Sequence, residues 1–184
     1  CYYKLNSFDK ALRDFSKAIE IAPSSSKAFI WRGTVNGRMG NDKAAVEDYK
    51  KAIELDPFHV QAHSNLGAAY YRSGKLVEAI EHFKTALKLK PELTTIRFNL
   101  AGLFLKTSRW EEAIRHFEEG MRYQAPTAKV LSNLAFACQK TGNFEKSAEL
   151  YRKSLELDNK DAGAYYNLAL ILVKAGQRAE ALQI

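Results

Sequence analysis

Residues 66–91 read LGAAYYRSGKLVEAIEHFKTALKLKP, and this stretch decides the fold. Its second half places small and apolar side chains on one helical face, at Ala79, Phe83 and Ala86. Gly74 interrupts the pattern before them, and Pro91 ends it because proline cannot continue a helix interior. The same helical spacing precedes Gly74, at His63, Leu66, Gly67 and Tyr70. The stretch therefore predicts two helices joined by a short turn.

This predicted helix pair recurs along the chain with a period of 34 residues. The second helices share Ala11/Phe15/Ala18/Pro23, Ala45/Tyr49/Ala52/Pro57, Ala79/Phe83/Ala86/Pro91, Ala113/Phe117/Gly120 and Ser147/Tyr151/Ser154. The first helices share the small residues Gly33, Gly67, Ala101, Ala135 and Ala169, which let neighbouring helices approach closely. The turns share Gly40, Gly74, Ser108, Gly142 and Gly176, where a left-handed backbone is expected. No segment alternates like a strand, so the predicted class is all-α, an α-solenoid of antiparallel helix-turn-helix repeats.

The period sets the predicted boundaries of the repeats. Full repeats are expected at 26–59, 60–93, 94–127 and 128–161, with partial repeats at 1–25 and 162–184. The sequence thus begins inside one predicted helix and ends inside another, without the polar capping helices that repeat arrays need for solubility. We therefore expect one continuous array that is a fragment of a longer protein.

Composition narrows the class of protein and of partner. The 184 residues are 46% hydrophobic and 27% charged, which is typical of a folded domain. No apolar run is long enough to span a bilayer, and two cysteines cannot cross-link an array of this size, which favours an intracellular, cytoplasmic protein and no membrane partner. The net charge is +7, but lysines and arginines are interspersed with acids, so an acidic protein segment is a more natural partner than nucleic acid.

The repeated residues resemble the signature of the tetratricopeptide repeat (TPR) family over the whole chain, most fully in 60–93. The resemblance implies a right-handed superhelix in which first helices line a concave groove and second helices form the convex back. Repeat 26–59 departs from the signature, with Arg32 where Leu66 stands in the next repeat. Because a buried Arg requires an acceptor, we expect Arg32 to pair with Asp14 or Asp48.

The face of the first helices that the resemblance makes concave carries a repeated polar pattern. Asn65, Asn99, Asn133 and Asn167 occupy one place in four repeats, and the basic residues Arg72, Lys106, Lys140 and Lys174 follow seven residues later on the same helical face. Lys4 and Arg38 extend the basic row, while Lys129, Phe136, Tyr166 and Leu170 complete the predicted surface. A carboxamide both donates to and accepts from a peptide group, so a row of Asn suits an extended polypeptide. A similar Asn ladder in the superhelix of O-GlcNAc transferase engages extended polypeptide.

The sequence leaves alternative functions open. The leading hypothesis is a scaffold that binds an extended acidic or polar peptide segment in its groove. The alternatives are an assembly subunit that uses its ends and convex face, and the substrate-recruiting arm of an enzyme whose catalytic domain lies elsewhere. The chaperone-binding members of the family grip a terminal carboxylate with a clamp of Lys and Asn, but this chain has Ser64 and Ala68 where such a pair would fall. A chaperone C-terminal tail is therefore not the expected ligand.

Residues that could carry chemistry are few. His59 and His63 are one helical turn apart, but the sequence offers no third ligand for a metal. Ser73, Gly74 and Lys75 lack the rest of a phosphate-binding loop, and Cys138 takes the place of a core aromatic residue. We therefore predict no catalytic residues, no metal and no cofactor, so the chain itself is not expected to be an enzyme.

Overall fold

The computed structural model describes residues 8–174, 176–177 and 181. Within these residues the chain is all-α, and its helices are α1 (Phe8–Ile21), α2 (Ser26–Arg38), α3 (Asp42–Leu55), α4 (Val60–Arg72), α5 (Leu76–Leu89), α6 (Thr94–Lys106), α7 (Trp110–Met121), α8 (Ala128–Lys140), α9 (Phe144–Leu157) and α10 (Ala162–Lys174). The predicted Lys4 of the basic row lies outside the described residues. The chain divides into two compact units, Cys1–Pro91 and Glu92–Ile184.

Each unit is built from helix pairs that pack against the next helix in sequence. In the first unit α2 pairs with α3 and α4 pairs with α5, while α1 packs on α2 and α3 packs on α4. In the second unit α6 pairs with α7 and α8 with α9, while α8 also contacts α7 and α10 contacts α9. The first helices of adjacent repeats touch as well, α2 with α4 in the first unit and α8 with both α6 and α10 in the second.

The turns within the helix pairs have the predicted left-handed backbone. The φ angles are 81° at Gly40, 75° at Gly74, 57° at Ser108, 82° at Gly142 and 78° at Gly176. Ser108 is the position where a side chain adopts this conformation, which glycine adopts without steric cost. The turn residue thus confirms the period read from the sequence.

The cores of the repeats lie between the predicted apolar stripes. In repeat 60–93, Leu66 and Phe83 are buried, and a Cβ added to Gly67 would stand 2.8 Å from the Phe83 ring. The same distance from an added Cβ on Gly33 to the Tyr49 ring is 2.9 Å. These first helices therefore approach the second helices too closely for any side chain at that position, as the small residues predicted.

Arg32 forms an ion pair with Asp48, one of the two alternative partners that the sequence predicts. Its Nη2 lies 2.6 Å from Oδ1 of Asp48, and its Nε donates to both carboxylate oxygens at 3.1 Å. Asn36 donates to Oδ2 of the same carboxylate at 3.2 Å. The Asp48 side chain is only 6% exposed, so these donors replace the water that burial removes.

His63 pairs with another histidine and not with His59. Its Nδ1 lies 3.1 Å from Nδ1 of His82, and its Nε2 lies 3.0 Å from the carbonyl oxygen of Pro57. Because a carbonyl can only accept, His63 Nε2 donates to Pro57, and in the neutral pair His82 Nδ1 donates to His63 Nδ1. His82 also stacks on Tyr70 with ring centres 5.6 Å apart. The part of the chain that the structure describes contains no cluster of three metal-ligating residues.

Candidate peptide-binding surface

Helices α4, α6, α8 and α10 place the four predicted Asn residues at equivalent positions, beside the buried leucines that face the core. Asn99 is exposed, whereas Asn65, Asn133 and Asn167 are half-buried. Because side chains three or four residues apart share a helical face, each Asn lies on the same face as the basic residue near the end of its helix. Three of these helices, α6, α8 and α10, belong to the second unit.

Asn65 is held in place by hydrogen bonds within the first unit. Its Nδ2 donates to Thr34 Oγ1 at 3.2 Å, and the Tyr49 hydroxyl donates to the same oxygen at 3.4 Å. Thr34 in turn donates to the carbonyl oxygen of Ile30 at 2.7 Å. This network fixes the carboxamide of Asn65 and leaves its oxygen as an acceptor for a ligand.

The Asn residues of the second unit have more capacity for a ligand. The side chains of Asn99 and Asn133 make no hydrogen bond within the described part of the chain, so both retain donor and acceptor groups. Asn167 adjoins the hydroxyl of Tyr151, a buried side chain, and burial raises the pKa of that hydroxyl above its ordinary value. The Tyr151 hydroxyl stays a neutral hydrogen-bonding group beside the surface.

The residues of the predicted basic row differ in what they contact. Arg72 pairs with Asp42, with Nη2 2.7 Å from Oδ1, so its charge is largely neutralised. Lys140 lies over the Phe136 ring at 5.1 Å from its centre, and Lys174 lies over Phe144 at 5.9 Å. Arg38 and Lys106, the other described residues of the row, are exposed, as is Lys129 of the predicted surface. The positive charge of the predicted surface is therefore uneven along the chain.

Apolar side chains contribute to the same face. Phe136 is half-buried, whereas Tyr166 and Leu170 are 66% and 37% exposed. Trp110 packs edge-on against Phe136 with ring centres 5.9 Å apart. The sequence did not predict Trp110 as part of this surface, because it begins the second helix α7 and the repeated surface pattern lies on first helices. A Cβ added at Gly102 would meet no atom within 4 Å, so there is open space beside this residue.

A second aromatic residue was also missed. Trp31 lies 34 residues before Asn65 and so takes the Asn position in α2. Its ring stacks on Phe15, with centres 6.3 Å apart and planes 10° from parallel, and the residue remains 40% exposed. The period alone could have found this substitution, since it identifies the equivalent position directly.

The fold and surface define a helical repeat protein, and comparison with known families agrees. Family models described as TPR repeat match residues 38–74 and 137–176, and models described as tetratricopeptide repeat match 1–25, 60–93 and 95–129. The chain belongs to the tetratricopeptide repeat family, an α-solenoid family of protein-interaction scaffolds.

Solved structures of other repeat proteins have the same fold. The crystal structure of YrrB, described as a TPR protein with an unusual peptide-binding site, has a TM-score of 0.86 at 21% identity, covering 92% of this chain and 87% of that one. A crystal structure of MamA has a TM-score of 0.80 at 20% identity, covering 88% and 95%. A TPR protein from Parabacteroides merdae has a TM-score of 0.79 at 17% identity, covering 99% and 72%.

Two further comparisons bear on function. A comparison with curated proteins gives no significant match. Among the described residues, none of the helices has the length and apolar character required to cross a membrane.

Proposed function

We propose that the chain is a non-catalytic scaffold that binds an extended polypeptide segment along the Asn-bearing face of its first helices. The observation that carries this proposal is the pair of unpartnered carboxamides on neighbouring helices α6 and α8. Asn99 and Asn133 make no hydrogen bond within the described residues, so both carboxamides keep their donor and acceptor groups for a ligand. Amide groups left open at equivalent positions of adjacent repeats suit the regularly spaced peptide groups of an extended chain.

The surroundings of Asn65 support the same use. The hydrogen bond from Asn65 to Thr34 orients a carboxamide before any ligand arrives, which reduces the entropy lost on binding. Recognition of backbone groups would make binding tolerant of ligand sequence, while the lysines of the face favour acidic or polar segments. YrrB, which shares the fold, is described as having an unusual peptide-binding site, and that description is compatible with such a role.

The test is a selection of random 12-residue peptides displayed on phage against the full chain. Peptides that are enriched would be synthesised with a fluorescent label and their affinities measured by fluorescence anisotropy. We expect the combined variant Asn65→Ala, Asn99→Ala, Asn133→Ala and Asn167→Ala to lose binding by at least about 100-fold, because several amide contacts are removed together.

Controls separate binding from folding. Circular dichroism must show equal helicity for the variant and the parent chain. The matched control is Asn143→Ala, which removes an Asn that caps α9 by accepting from the Lys146 amide at 3.2 Å and is absent from the proposed face. Unchanged affinity in the folded variant with all four Asn residues replaced would refute groove binding. It would favour a role of the ends or the convex face in assembly.

A further inference from the structure

We propose that the second unit selects peptides in which a bulky apolar side chain stands close to an acidic side chain. This inference rests on the proposed function, since it concerns the same face of α8 and α10. It specifies the chemistry of the partner: an aliphatic or aromatic anchor with an Asp or Glu one or two residues away.

The proposed anchor site comprises aromatic and aliphatic side chains of α8 and α10, with Phe136 on α8. Trp110 holds the Phe136 ring edge-on at 5.9 Å, which fixes one wall of the site. Leu170 and Tyr166, on the contacting helix α10, are 37% and 66% exposed. Exposed apolar groups at the centre of a polar face are typical of positions that bury a partner's side chain.

Three lysines of α8 and α10 belong to the same proposed surface as this apolar site. Lys129, Lys140 and Lys174 form no ion pair with a carboxylate among the residues that the structure describes. The lysines of α9 differ, because Lys146 pairs with Glu118 and Lys153 with Glu149. The face of α8 and α10 therefore carries positive charge that a partner's carboxylates would complement.

The spacing of the two features sets the ligand pattern. Lys140 Nζ lies 5.1 Å from the centre of the Phe136 ring. In an extended chain, side chains two residues apart point the same way and are separated by about 7 Å. A carboxylate two residues from the anchor would thus reach Lys140 while the anchor contacts Phe136. Asn133, one turn before Phe136, would contact the ligand backbone on the other side of the anchor.

The first unit lacks the apolar residues at the equivalent positions. Thr34 stands where Phe136 stands, and Ala68 stands where Leu170 stands. Arg72, the counterpart of Lys174, is already paired with Asp42 at 2.7 Å. The same backbone in the first unit therefore provides no comparable anchor, and Phe136→Thr is the substitution that transfers the first unit's residue into the second.

The test uses the peptides enriched on the full chain and their labelled synthetic forms. We expect enriched sequences to share an apolar residue with Asp or Glu within two positions, and replacement of either residue by Ala to weaken binding about tenfold. Phe136→Thr should weaken binding by at least about tenfold, with Leu170→Ala as a second variant at an exposed position that cannot impair the core. Lys140→Gln should weaken binding and reduce its dependence on salt, because a charge contact is lost.

The controls distinguish this inference from the groove itself. Lys153→Gln removes a lysine that is paired on α9 and should leave affinity unchanged. Enrichment of peptides that lack the apolar and acidic pair would overturn the inference. So would enriched peptides that bind the Phe136→Thr and Leu170→Ala variants as tightly as the parent chain. If those peptides still required Asn99 and Asn133, the proposed function would stand without it; if no peptide were enriched, both would fail.

Discussion

The helix pairs α2–α3 and α4–α5 have the same backbone plan and different cores. In α4–α5, Leu66 is buried and His82 stacks on Tyr70. In α2–α3 the equivalent positions hold Arg32, Asp48 and Asn36, which form a hydrogen-bonded polar cluster. The turn glycine is left-handed in both pairs, and both have a glycine against the aromatic ring of the second helix.

The comparison shows which features of the repeat are required and which can be exchanged. Close helix approach at Gly33 and Gly67 and the left-handed turn are kept in both pairs. The side chains that face each other across the two helices change from polar to aromatic as a set. In α2–α3 the Asp48 carboxylate accepts from Arg32 and Asn36, whereas in α4–α5 His82 stacks on Tyr70. Exchanging a single residue between the two pairs should therefore destabilise the chain more than exchanging the complete set of residues.

The largest effect is expected from Leu66→Arg, which puts the charge of the first pair into the second without its acceptor. Leu66 is 1% exposed, so the guanidinium would be buried without a partner, and we expect a loss of about 4–5 kcal/mol of folding free energy. Adding His82→Asp supplies the carboxylate found at the equivalent Asp48 and should recover part of this loss. Urea denaturation followed by circular dichroism measures both, and a double variant no more stable than Leu66→Arg would show that the two sets are not equivalent.

The reciprocal substitution, Arg32→Leu, should cost less. It leaves Asp48, whose side chain is 6% exposed, with Asn36 as its hydrogen-bond donor, and we expect a loss of about 3 kcal/mol. The exchange Arg32→Leu, Asn36→Tyr and Asp48→His should recover part of this loss, since it removes the buried carboxylate and introduces the side chains found at the equivalent positions of α4–α5. If the triple variant unfolded at a lower urea concentration than Arg32→Leu alone, the stability of this helix pair would depend on contacts between the polar residues and neighbours outside the pair.

Gly67→Ala tests the feature that both pairs retain. The added methyl group would stand 2.8 Å from the Phe83 ring and 3.3 Å from the carbonyl oxygen of Ala79, so we expect overpacking to cost about 1–3 kcal/mol. Gly102→Ala is the matched control in a helix of the second unit, because its added methyl group meets no atom within 4 Å. That control should instead gain about 0.5–1 kcal/mol from lower flexibility of the unfolded chain. Changes of the same sign in the two variants would refute a role for close approach at Gly67.

The fold could be predicted from the sequence because its signals recur. The period placed the turn residues and the buried stripes, and the need of Arg32 for an acceptor limited its predicted partner to Asp14 or Asp48, of which the structure has Asp48. The site was harder to predict because it depends on contacts between helices that no spacing encodes. Neither the pairing of Arg72 with Asp42 nor the packing of Trp110 on Phe136 follows from the pattern of first helices alone.

The smallest effect concerns the histidine that replaces Asp48 in the second pair. Burial lowers the pKa of His82, and the neighbouring His63 lowers it further, against the opposite effect of Glu81. The unfolded chain therefore binds the proton more readily than the folded chain. Stability should be complete above the ordinary histidine pKa near 6.5, fall as the pH decreases through that value, and level off below the folded pKa.

His82→Gln should make this acid loss smaller, since its amide can still donate a hydrogen bond to His63 without titrating. The loss should not vanish, because burial also lowers the pKa of His116 in α7. Thermal unfolding between pH 8 and pH 5, followed by circular dichroism, measures the slopes for the parent chain, His82→Gln and the double variant with His116→Gln. The slope should decrease in that order, whereas equal slopes would assign the acid sensitivity to groups other than His82 and His116.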